Sequence, residues 1–89
     1  MRHTIGRPLI SILEDIVAEN KREEEWAEIE SDDMFQNDPY VGGYDADEEA
    51  FCFSYFAEDR EYWFQLTLDE VKSAVAGELT DLELVEADR

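Results

Sequence analysis

Eighty-nine residues with 25 acidic and seven basic side chains, a formal charge of −18 at pH 7 and a single cysteine describe one small acidic domain spanning 1–89. At this length a folded chain hides only roughly 60–65 % of the surface its unfolded form exposes, so one modest core is the limit. Lone Cys52 excludes an intramolecular disulfide framework, one histidine excludes a structural zinc site, and 12 % aromatic residues are too many for a disordered acidic tail.

Pro8 suits the first turn of a helix, and Leu9, Ile12, Leu13, Ile16 and Val17 follow at helical spacing. Ser11 with Glu14 offers an alternative start with the spacing of a capping box. Beyond Val17 the apolar stripe fails. Asn20, Glu23, Ala27 and Glu30 occupy the positions that would extend it, while Trp26 and Ile29 point away. Either the helix breaks near Asn20 or its second half projects as a charged arm, with Glu24, Glu28 and Asp32 as a row of carboxylates. Glu14 and Asp15 interrupt the most apolar stretch, which is therefore neither a membrane span nor a signal-peptide core. A cytoplasmic location is expected, that of a host cell if the chain is phage-encoded.

Asn37-Asp38-Pro39 and Gly42-Gly43 read as turns in an irregular connection from Ser31 to Ala50, pinned by Phe35, Tyr40 and Tyr44. Phe51–Ala57 and Tyr62–Leu68 alternate as a β-hairpin around a four-residue loop, Glu58 to Glu61. Phe51, Phe53, Tyr55, Tyr62, Phe64, Leu66 and Leu68 form its core face; Phe56 and Trp63 on the reverse face are expected to be partly exposed. Thr67 with Glu70 caps a short helix carrying Leu68, Val71, Ala74 and Val75, and Gly77 suits its end. Leu82 to Val85 fits a third strand or one more helical turn. The fold class is α+β: N-terminal helix, acidic connecting segment, antiparallel hairpin, short C-terminal helix.

The charge is placed unevenly. The first 22 residues carry +1, residues 23–50 carry −12 without a single Lys or Arg, and the last 39 carry −7. A field of one sign weakens a compact fold by self-repulsion and is expected to raise the pKa of crowded carboxyls; its use is to attract a basic partner. Direct nucleic-acid binding is excluded by the same balance, since phosphates are held by basic residues. Catalysis is poorly supplied: His3 lies near a terminus expected to fray, and Cys52 sits in a strand as a small hydrophobe. Asp45, Asp47, Glu48 and Glu49 crowd one loop, but Ala50 stands where a calcium loop needs its turn glycine and Phe56 where it needs its last Glu. No metal, cofactor, enzyme activity or membrane contact is expected.

Carboxylates four apart on a helix stand about 6 Å from one another, comparable to phosphates along a nucleic-acid strand. In size and in its acidic block the chain resembles phage and mobile-element inhibitors that mimic DNA, among them anti-CRISPR proteins. The resemblance implies a partner that binds nucleic acid through a basic surface, such as a CRISPR effector, nuclease or repair enzyme. The candidate contact residues are Glu23, Glu24, Glu25, Trp26, Glu28, Glu30, Asp32, Asp33, Asp45, Asp47, Glu48 and Glu49, with Trp26, Phe35, Tyr40 or Tyr44 as apolar anchors. The alternatives are an acidic interaction module that binds a basic subunit or forms a homodimer through the Trp63 face, and a halophilic small domain.

Overall fold

Ten elements follow in chain order in the computed structural model, which describes residues 1–29 and 35–87: β1 (Arg2–Thr4), α1 (Arg7–Glu19), α2 (Glu23–Ala27), β2 (Phe35–Asn37), β3 (Tyr40–Asp45), β4 (Ala50–Ala57), β5 (Arg60–Leu66), α3 (Leu68–Val75), β6 (Asp81–Glu83) and β7 (Val85–Glu86). The α+β class holds, with more sheet than expected. An antiparallel sheet runs β2-β3-β4-β5-β7, and β1 pairs with β6 in a separate ribbon.

α1 starts with Pro8 in its first turn, so the Ser11 start is not used, and it ends at Asn20 in the left-handed conformation. The helix therefore breaks where the apolar stripe fails. α2 is a separate element of five residues with Glu23, Glu24 and Glu25 in its first turn, where unsatisfied N–H groups and the helix dipole favour negative charge. The expected carboxylate row is correspondingly short: Glu28 is already the C-terminal cap, and Glu30, Asp32 and Asp33 lie outside the described residues.

The connection expected to be irregular contains two strands. β2 and β3 pair around Asp38-Pro39, and Gly42 and Gly43 are buried strand residues instead of a turn. β4 and β5 form the expected hairpin, but its connection is tighter. Glu58 and Asp59, both with positive φ, alone make the turn, and Arg60 and Glu61 belong to β5. Leu68 starts α3 instead of ending the strand. Thr67 accepts from the backbone N–H of Glu70 while Glu70 accepts from that of Thr67, the expected capping box, and Gly77 (φ 83°) follows the last turn.

One core cluster joins both helical stripes to the inner sheet face. It contains Leu9, Leu13, Ile16, Phe51, Phe53, Leu66 and Val71, closed at one end by Leu82 and Leu84. The segment expected to be one strand or a helical turn is two short strands, β6 and β7, in different sheets, with Leu84 between them. The N-terminus is not frayed, because β1 pairs with β6 and His3 Nε2 lies 2.6 Å from the Tyr40 hydroxyl with its ring against Tyr55. Burial pushes the His3 pKa below its ordinary 6.5 and, helped by Tyr55, pushes the Tyr40 phenol up to about 12.

A depressed histidine pKa means that the unfolded chain binds the proton more readily, so the stability linked to neutral His3 is present above pH 6.5 and lost as pH falls through the lower folded value. Thermal melts of the natural chain and His3→Gln should therefore converge on acidification from about pH 7.5 to about 5.5. A gap that stays constant or widens contradicts this.

Candidate functional site

Two described parts of the acidic block, α2 and the β3–β4 turn, come together at Tyr44. Trp26 of α2 lies with its ring centroid 6.5 Å from that of Tyr44 near the end of β3, whose next residues form the acidic β3–β4 turn. The Tyr44 hydroxyl is pushed up by burial and then by the charges of Glu23, Glu49 and Glu24, which brings carboxylates 25 positions apart in sequence around one phenol. Within the turn, Asp45 Oδ1 accepts the backbone N–H of Asp47 at 2.9 Å and of Glu48 at 3.4 Å, and Glu49 takes a positive φ. The Asp45 side chain thus holds the turn, while Asp47, Glu48 and Glu49 face solvent.

Neutralisation is partial. Arg22 lies 3.1 Å from Glu25 and 4.0 Å from Glu24, and its hydrogen bond holds the Glu25 carboxyl below its ordinary value, opposite to the rise expected from crowding. Glu23, Glu28, Asp47, Glu48 and Glu49 have no ion-pair partner among the described residues.

The expected apolar anchors do not project from this edge but turn into the core. Trp26 is fully buried, with its ring 5.0 Å from Phe51 in an edge-on contact, and Tyr40 and Tyr44 are buried too. Trp26 is a core residue, which corrects its expected role as a surface contact. Phe35 is half-buried against the same cluster.

Exposed apolar surface lies instead on the outer sheet face. The register aligns Val41, Ser54, Trp63 and Val85 in one row across β3, β4, β5 and β7. Trp63 is 50 % exposed, Phe56 47 % and Val85 64 %. Beside them runs a shallow groove of about 720 Å³ whose walls include Val41, Cys52, Trp63 and Val85, with Asp45, Glu48 and Glu83 at its margins. Trp63 Nε1 donates to Glu61 Oε2 at 2.7 Å, and Ser54 Oγ donates to the same oxygen at 3.0 Å, which holds the indole in one orientation. Phe56 and Trp63 were legible from alternation; Val85 and Val41 join them through pairings distant in sequence.

Among the described residues this face does not bring a nucleophile to a base. Burial, then Asp45 and Glu48, push the Cys52 thiol up, so it stays protonated at neutral pH, and His3 lies across the sheet from Ser54 among Tyr40 and Tyr55. Among the described residues no three His, Cys, Asp or Glu side chains converge as a metal site, and no helix is long and apolar enough to cross a membrane. No protein-family model, curated protein or solved structure matches this chain.

Proposed function

We propose that this protein is a non-enzymatic inhibitor that acts by occupancy: its acidic edge stands in for the phosphates of a nucleic-acid strand and fills the basic binding surface of a CRISPR effector, nuclease or repair enzyme in the cytoplasm. The observation that carries this reading is the convergence of Glu23 and Glu24 from α2 with Glu49 from the β3–β4 turn around Tyr44. Two acidic stretches separated by a strand pair thus act on one phenol, next to the Trp26–Tyr44 ring contact. With Trp26 and Tyr44 buried, that edge offers charge without an apolar anchor, so encounter and selectivity there are electrostatic.

Binding to such a partner should be displaced by duplex DNA or RNA and should weaken steeply with ionic strength. Partners captured on the immobilised chain and challenged with a duplex oligonucleotide test this directly. A ternary complex of partner, duplex and inhibitor would defeat occupancy. A second reading, an acidic interaction module without mimicry, is favoured by the exposed Trp63, Phe56 and Val85 on the outer sheet face.

A further inference from the structure

We propose that the outer face of β3-β4-β5-β7 is a docking surface for a basic segment of a partner polypeptide, with an arginine of that segment laid over Trp63. This inference shares the protein-binding character of the reading above but needs no phosphate mimicry, and it uses a different surface.

The centre of the face is apolar and uncovered. Val41, Trp63 and Val85 stand in one row, Phe56 stands two residues along β4 from the same row, and both longer helices pack on the opposite side of the sheet. An indole half open to solvent and held by its own N–H offers an oriented π face, the kind of surface on which guanidinium groups stack.

The margins decide which chemistry fits. Asp45 and Glu48 stand at one end of the groove, close enough to Cys52 to raise its pKa, and Glu83 stands at the other, where it also holds the amino group of Met1 3.2 Å away. No Lys or Arg is among the described residues that line it. A second copy of this chain would bring the same carboxylates against these, on a molecule already at −18, and a nucleic acid would bring phosphates. A segment alternating basic and apolar side chains meets both parts of the surface. Its apolar residues cover Val41 and Val85, its arginine stacks on Trp63, and a second cation reaches Asp45 and Glu48.

The probe is a short peptide of alternating arginine and leucine, compared with its lysine–leucine counterpart of equal charge and titrated by calorimetry and by tryptophan fluorescence. Trp63 is the exposed one of two tryptophans, so its emission should change on binding. The arginine peptide should bind more tightly than the lysine peptide, and Trp63→Ala should weaken it about tenfold. Trp63→Leu, which keeps an apolar side chain, should restore only part, Glu48→Lys should weaken both peptides, and Asp15→Lys with Glu78→Lys, exposed and away from the groove, should leave both nearly unchanged. Circular dichroism of each variant separates lost binding from lost fold. Equal binding of the two peptides with no effect of Trp63→Ala would overturn the proposal in favour of diffuse attraction to a polyanion. Trp63-dependent dimers in sedimentation would overturn it in favour of a second copy as the occupant.

Discussion

Trp26→Ala is expected to destabilise the fold by about 3–5 kcal/mol, the range for deleting a fully buried aromatic ring. A domain of this size has only about 4–13 kcal/mol of total stability, so the midpoint in denaturant should fall by a large fraction. Trp26 touches three rings: Phe51 at 5.0 Å, Phe35 at 6.0 Å and Tyr44 at 6.5 Å between centroids. It also ties the five-residue α2 to the sheet, while Lys21 Nζ lies 5.0 Å from its centroid. Its Nε1 is buried without an acceptor among the described residues, so Trp26→Phe, which removes that donor and keeps a ring, should cost far less. Urea melts of the two variants check both statements. An alanine variant within 1 kcal/mol of the natural chain, roughly the effect of an ordinary point mutation, would mean that this ring is not a core residue.

Gly42→Ala should also destabilise the fold strongly, although it adds only one methyl group. A Cβ at that position would lie 2.2 Å from the Cys52 carbonyl oxygen, 2.7 Å from Phe53 Cδ1 and 2.9 Å from Phe53 Cα. Two of those three neighbours are backbone atoms of β4, so no rotamer change relieves the contact. β3 and β4 must separate in the middle of the sheet, which strains the ladder around the Gly42–Phe53 pair. Overpacking of this kind typically costs about 1–3 kcal/mol, and a backbone clash belongs at or above the upper end. A melting temperature equal to that of the natural chain would contradict the close approach of the two strands.

Gly42 also explains why β3 escaped the sequence. Gly-Gly between Tyr40 and Tyr44 carries the local mark of a turn, whereas its cause is the carbonyl and ring of a strand about ten residues later. β1 and β6 were hidden for a related reason: each has three residues, too few for a period, and Arg2 meets Glu83 across nearly the whole chain. Legibility was highest where order is local. The α1 stripe, the Thr67–Glu70 capping box and the Phe51–Phe53–Tyr55 alternation each repeat within a few residues.

The acidic edge was legible in part. Glu23, Glu24 and Glu49 were identifiable as surface charge because they form part of a run without a base, but their meeting around Tyr44 depends on β3. Trp26 misled because its immediate neighbours are glutamates. A five-residue helix with one buried position has no apolar stripe, so composition pointed the ring outward while Phe51 and Tyr44 draw it in.

Two triple reversals of equal charge change separate a local phosphate-like surface from bulk acidity. Glu23→Lys, Glu24→Lys and Glu49→Lys alter the edge around Tyr44, whereas Asp15→Lys, Glu58→Lys and Glu78→Lys alter exposed carboxylates outside the block. Both proteins should fold, since exposed substitutions usually change stability by no more than about 0.5 kcal/mol each. Their affinity for a captured nucleic-acid-binding partner, measured at one fixed ionic strength with and without competing duplex, is the decisive quantity. The edge triple should abolish binding and free the partner for the duplex, while the distant triple should bind and compete almost as the natural chain does. Equal losses from the two triples would contradict a local phosphate-mimicking site and leave only a diffuse polyanion.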